Sequence, residues 1–235
     1  MINLIKSLRA LLTLILTINF VITNVYAASF SFNGVRVNKN IKPMREIKHE
    51  KVITQSLDFS CGAAGLSTLL NYYLGDPVTE NEIINTLLNT VPLEKVQERR
   101  GFSLLDLKKY AESKGYKVSG YKMDIDFLRQ LNKPVLVPIK FKNYSHFVVI
   151  KGVLADRIFI ADPSAGNVSL KISKFQKMWT NGIGLVVENE NAMSTEYALR
   201  VNKDDFLISD YKSLRQLVDR SVIRTTVYTS EWVND

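Results

Sequence analysis

The hydrophobic period of this chain changes after Leu131, and that change limits its folds more than any other feature. From Cys61 onward, Ala63, Leu66, Leu70 and Tyr73 recur at helical spacing until Gly75-Asp76-Pro77 stops the pattern, which predicts a helix over about 61–73. A second helix is predicted from Thr79 to about Asn89, with Glu82 completing a capping box and Val78 placed to staple onto Ile83. A third starts at Ser103 with Asp106 in the reciprocal position, buries Leu104, Leu107 and Ala111, and stops before Gly115. Asp124–Leu131 reads as a shorter helix. The runs that follow, "PVLVPI" (134–139), "HFVVIKGV" (146–153), "RIFIAD" (157–162) and "GIGLVVE" (182–188), are short, β-branched and bounded by turn residues, so they read as strands. Helices first and strands afterwards predict an α+β fold, with helices packed on an antiparallel sheet.

The first 27 residues stand apart. Lys6 and Arg9 are their only charges, Ala10–Ile18 is an apolar run, and Val25-Tyr26-Ala27 precedes Ala28, the order of a secretory signal peptide cut near Ala27. An uncleaved N-terminal membrane anchor is the alternative, which Thr13, Thr17, Asn19, Thr23 and Asn24 weaken. The expected location is therefore the periplasm or the cell exterior, with no stable membrane span after signal cleavage. Residues 28–50 read as an extended lead-in, 51–188 as the main domain and 189–235 as a C-terminal extension. In the extension, "ENENAMS" is a polar connector, Asp210–Val218 reads as a helix and "RTTVYTSEWV" alternates like a strand, making either an add-on to the core or a docking segment.

The 235 residues are 46% hydrophobic and 23% charged, which is globular rather than disordered composition. The net charge of +8 is spread along the chain. Its longest basic feature, Lys95 with Glu98-Arg99-Arg100, includes acids and no interleaved aromatics, so it reads as a solvated loop and no nucleic-acid partner is expected.

One cysteine, Cys61, cannot form an internal disulfide, although an exported protein lives where disulfides form. It is either an inert buried residue or a reactive one. At a helix start it faces unpaired backbone N–H groups and the positive end of the dipole, which favour the nucleophilic thiolate. Of the two histidines, His49 lies in the charged stretch "EIKHEK" and reads as exposed, whereas His146 opens a strand at the sheet edge. A hairpin turn centred on Leu154 would place Asp162 directly opposite His146, within reach of a carboxylate-to-imidazole hydrogen bond. Read alone, Asp162 before Pro163-Ser164 is an ordinary turn opener. Gln55, six residues before Cys61, has a side-chain amide suited to join the Cys61 N–H in holding an oxyanion. Together Cys61, His146, Asp162 and Gln55 fill the roles of a thiol hydrolase. Two distant histidines and one cysteine cannot assemble a structural zinc site, and no metal or cofactor is expected.

The blocks "QSLDFSCGAAGLSTLLNYYLGDPVTENEI", "GFSLLDLKKYAESKGY", "PVLVPIKFKNYSHFVVIKGV" and "IFIADPSAG" resemble the bacteriocin-processing peptidases, family thirty-nine of the cysteine peptidases, over about Val52 to Val187. The resemblance implies a papain-like fold for 51–188, with Cys61 as nucleophile, His146 as general base and acid, Asp162 as its orienter and Gln55 as oxyanion donor. It also implies cleavage after a small-residue pair, commonly Gly-Gly, at the end of a leader. Where many members carry Asp before the cysteine, this chain has Ser60, with Asp58 two residues earlier. It also has neither the Gly-rich phosphate loop nor the membrane domain of the exporter-fused members. It looks like the free-standing exported branch, some of which accompany systems secreting amyloid fibres. The expected activity is thus processing of a secreted partner protein or leader peptide. The alternatives are an escort that binds polypeptide in the same groove without cutting it, and a thiol amidase acting on cell-wall peptides.

Overall fold

A computed structural model describes residues 28–32, 35–39, 43–141, 144–189, 197–202 and 204–207. The signal segment, the predicted helix at 210–218 and the predicted strand in "RTTVYTSEWV" lie outside the described residues. Backbone contacts divide the chain into Met1–Met44 and Arg45–Asp235. In the first unit, β1 (Ala28–Phe32) and β2 (Val35–Lys39) form an antiparallel hairpin with Ala28 across from Lys39 and Phe32 across from Val35.

The second unit is an α+β layer structure. One six-stranded sheet, in the order β3-β8-β4-β5-β6-β7, is antiparallel throughout. Its strands are β3 (Lys117–Lys122), β4 (Val135–Phe141), β5 (Tyr144–Leu154), β6 (Arg157–Asp162), β7 (Gly166–Lys171) and β8 (Ile183–Glu188). Alternation along the strands buries both faces. Leu136, Val149, Ala161, Leu185 and Val187 join the cluster made by α2 (Cys61–Leu69), α3 (Glu80–Leu88) and α5 (Leu104–Ser113). Their neighbours Val137, Val148, Ile150, Ile158, Ile160 and Leu170 join the other cluster, with α6 (Ile125–Leu131) and α7 (Ile172–Met178).

The helices that carry local start signals form where those signals stand. Thr79 accepts from the Glu82 N–H, Ser103 and Asp106 make the full reciprocal box, and Asp124 accepts from the Phe127 N–H. Val78 and Ile83 are both buried at the start of α3, as the staple requires. The first helix continues beyond Leu69 as a π-helical segment, Leu70–Leu74, and ends at Gly75, whose φ of 74° supplies the left-handed cap.

Three expectations are corrected. The stretch around Lys95 is not a loop but α4 (Leu93–Arg99), which starts after Pro92 and buries Val96. The lead-in is not simply extended: besides the hairpin it holds α1 (Met44–His49), whose Ile47 enters the core. His49 on α1 is half-buried, with Nδ1 3.5 Å from Thr54 Oγ1. Part of the C-terminal extension is an add-on to the core, one of its two expected readings: Leu199 is fully buried in the helix-side cluster and its N–H donates to Tyr72 O at 2.9 Å.

The β5–β6 hairpin also differs in register from the expected direct pairing. Its turn lies at Ala155-Asp156, with Ala155 at φ 50°, and the pairs Leu154–Arg157, Val153–Ile158 and Gly152–Phe159 follow it. A bulge at Lys151 then shifts the ladder to Ile150–Ile160 and Val149–Ala161. Continued one step, this register sets Asp162 across from Val148, so His146 is its diagonal neighbour on the same face rather than its direct partner.

Gly166 opens β7 just after the Asp162 turn. Its φ is 79°, and a Cβ there would overlap the Lys48 carbonyl. Gly166→Ala is therefore expected to destabilise the fold by about 2 kcal/mol or more, read as a lowered Tm in thermal denaturation.

Candidate active site

Cys61 is the first residue of α2 and is buried, 3% exposed. The small residues after it allow that position. A Cβ on Gly62 would stand 2.9 Å from Leu107 Cδ1 and 3.2 Å from a Phe147 ring carbon, and one on Gly65 would stand 2.8 Å from Leu136 Cδ1. The first turns of α2 thus lie directly against α5 and the sheet, and any larger side chain would push the cysteine away from β5. Ser60 does not cap this helix with its side chain. Its hydroxyl donates to Leu57 O at 2.7 Å and accepts from Leu57 N–H at 3.0 Å, closing the 57–60 loop. The first-turn amides beside the sulfur are left to face the site.

His146 and Asp162 are almost completely buried and meet through Nε2 and Oδ1 at 2.9 Å. The Asp162 turn is built around that carboxylate. Oδ1 also accepts from Ser164 N–H at 2.7 Å, Ser164 Oγ at 2.7 Å and Ala165 N–H at 3.1 Å. The turn and the contact with His146 are therefore one arrangement: the Asx-type turn that Asp-Pro-Ser favours is what fixes the oxygen facing the imidazole.

Electrostatics follows from this contact. Burial by itself would raise the Asp162 carboxyl, but the His146 charge and hydrogen bond, helped by Ser164, hold it well below the usual carboxylate range. Burial would likewise lower His146, yet the charge and hydrogen bond of Asp162, together with Cys61, push it up to about 10. Cys61 is among the causes of that rise, so the sulfur lies near enough to act on the same ring. The three predicted residues come together as one buried group, with a cationic imidazole between a carboxylate and a sulfur.

Gln55 reaches the site through its backbone, whose N–H donates to Pro163 O at 2.9 Å and ties the loop before Cys61 to the Asp162 turn. Its Nε2 donates to Leu57 O at 3.0 Å, which leaves the second N–H of that amide for another acceptor. Glu80, 7% exposed at the start of α3, accepts from Ser56 N–H at 3.0 and 3.2 Å and pins the same loop. Sequence reasoning passed over Ser164, Ala165 and Glu80. The Asp-Pro-Ser spelling signals the first two, while nothing local signals Glu80, 24 residues from its partner.

Comparison with known proteins follows the same lines. The sequence profile of the Peptidase C39 family matches residues 49–192. The chain is 34% identical to "Probable functional amyloid protease FapD" of Pseudomonas aeruginosa over 74% of its own length and 79% of that protein's. With the protein of the same name from Pseudomonas fluorescens it is 36% identical, over 67% and 69% of the two lengths. The peptidase domain of Streptococcus ComA, a bi-functional ABC transporter involved in a quorum-sensing pathway, superposes with a TM-score of 0.52 and 22% identity, covering 60% of this chain and all of that one. That superposition confirms the expected fold, and the profile and the curated relatives carry the assignment further: this chain belongs to the Peptidase C39 family and is a cysteine peptidase.

Proposed function

We propose that this chain is an exported endopeptidase that trims a protein or leader peptide of a secretion system after a small-residue pair. The observation that carries the chemical part is the buried His146–Asp162 contact of 2.9 Å beside Cys61 at a helix start. Cys61 Sγ attacks the scissile carbonyl carbon, and the oxyanion that forms is held by the Cys61 N–H and the free N–H of the Gln55 amide. His146 uses Nε2 on Asp162, so Nδ1 is the edge that serves the sulfur. The imidazolium gives its proton to the leaving amine, the C–N bond breaks, and a thioester to Cys61 remains. Water then attacks the thioester, losing its proton to the neutral imidazole. The carboxylic acid departs and the thiolate–imidazolium pair returns.

Two features support the choice of substrate. The FapD relatives are named as functional amyloid proteases, and they align over most of both chains, so the partner we assign here is a secreted fibre-forming protein or another component of its export system. The N-terminal 27 residues have the charge and apolar order of a signal peptide, which supports export to the compartment such a partner crosses.

Synthetic leader peptides test the specificity. The purified full-length protein is expected to cut a peptide with an internal Gly-Gly after the second glycine, and to cut the Gly-Val variant at least about 100-fold more slowly if the site selects a small residue beside the cut. Mass spectrometry of the products reads both. Equal rates on the two peptides, or cutting at another bond, would remove the small-residue assignment.

A further inference from the structure

The β5–β6 hairpin carries both His146 and Asp162, and the bulge at Lys151 decides which way His146 faces. Near the turn, Val153 pairs with Ile158 and Gly152 with Phe159. If that register ran on unbroken, Asp162 would lie across from Val149, and His146 would project from the opposite face of the sheet, because one residue of slip exchanges the faces of a strand. The extra residue restores the match. Beyond it Ile150 and Val148 share a core cluster with Ile158 and Ile160, and His146 and Asp162 continue those two rows on one face.

Lys151 is an unusual side chain for such a place. It is 4% exposed, and its ammonium donates to Asp205 Oδ1 at 2.6 Å and to Asn167 Oδ1 at 3.2 Å. Asp205 comes from the C-terminal segment, and its Oδ2 accepts from Asn202 N–H at 2.7 Å. Asn167 on β7 in turn donates to the carbonyls of Ile47 and Glu50 at 3.3 and 2.9 Å. Burial lowers the Lys151 pKa and the Asp205 charge opposes that shift. A buried pair of this kind contributes little net stability over an apolar pair, and its best-attested use is to specify one register among several.

We infer that Lys151 and Asp205 are positioning residues for catalysis: the C-terminal segment locks the bulge of β5 so that His146 meets Asp162. In the bulged register the ammonium reaches Asp205 and Asn167 together. If the register near the turn ran on, Lys151 would lie across from Ile160 and face the other side of the sheet from Asn167. This inference rests on the catalytic reading of Cys61, His146 and Asp162, but it can be tested without substrate.

The test compares the full-length protein with Asp205→Asn, which keeps the shape and an acceptor, and with the double variant Lys151→Met/Asp205→Leu, which replaces the pair by apolar groups. The double variant is expected to fold with a Tm near that of the wild type, yet to lose about tenfold or more in kcat with KM within about twofold, because the reacting groups and not the substrate cleft are disturbed. In both variants the NMR titration midpoint of the His146 ring is expected to fall by about one pH unit or more, as contact with Asp162 loosens. Leu87→Ala, a core truncation in α3 away from the hairpin, serves as the control for lost stability and should leave both readouts unchanged below its Tm. A wild-type kcat and His146 midpoint in the folded double variant would overturn the inference and leave the pair as a simple anchor of the C-terminal segment. If the double variant does not fold, Asp205→Asn alone decides by the same two readouts. Should Cys61→Ala still cleave, the catalytic reading fails on its own, while the His146 titration continues to report whether the pair sets the ring.

Discussion

Replacing Cys61 by Ala is expected to lower kcat/KM on the order of 10⁴-fold or more, with the fold intact, because the nucleophile and the partner of the imidazolium vanish together. Cys61 sits at the start of a helix that is otherwise buried throughout, so removing one sulfur atom costs stability of only about 1 kcal/mol. A Cys61→Ser variant should be almost as inactive. Asp162 favours the protonated form of His146, so the ring is poorly suited to take the proton of a hydroxyl as it would in a serine enzyme. Because the chain has one cysteine, a thiol reagent modifies one site. Alkylated wild type and Cys61→Ala should therefore give matching residual rates in a mass-spectrometric cleavage assay. Cleavage by Cys61→Ala at the wild-type rate would place the chemistry elsewhere.

How much of this arrangement the residues announce depends on the range of the interaction. The helix starts at Thr79, Ser103 and Asp124 were legible because a cap is a contact between residues three apart. The strands β4, β5, β6 and β8 were legible because each is a dense β-branched run. β3 was not: its pattern "KVSGYK" buries little besides Val118, and it is a strand because β8 offers it a ladder. β7, "GNVSLK", and α7, "ISKFQKM", escaped for the same reason, since tertiary burial of Val168, Leu170 and Phe175 and not local preference makes them. Of the candidate site, Cys61, His146, Asp162 and Gln55 were named from their chemistry, and the structure brings the first three to one place. The route by which they meet did not follow. The hairpin register depends on a bulge whose lysine binds an aspartate 54 residues away, and no local spelling encodes that contact. Nor did the extension at 189–235 disclose that Leu199 would enter the core, because one apolar residue among polar neighbours carries no period.

Asp162→Asn isolates what the carboxylate charge does. The amide keeps an oxygen for the Ser164 and Ala165 donors and for His146, so the turn and the ring orientation persist while the charge is lost. Without that charge the buried imidazole gives up its proton readily, and the cation beside the sulfur is no longer maintained. kcat is expected to fall by about 10² to 10⁴-fold. The pH profile supplies the sharper reading. In the wild type, loss of the His146 proton ends activity at the alkaline side near 10, and in the variant this limb should move down by about two pH units or more. Stability must follow by linkage. The raised His146 contributes fully below its unfolded value of about 6.5 and is lost as pH rises through the folded value, while the depressed Asp162 contributes fully above its unfolded value of about 3.9 and is lost as pH falls. The difference in Tm between wild type and Asp162→Asn should therefore be largest between about pH 4 and 6.5 and shrink steadily towards pH 10. A constant Tm difference across that range, together with an unmoved alkaline limb, would mean that the charge on Asp162 does not hold the proton on His146. The buried contact would then serve only to orient the ring.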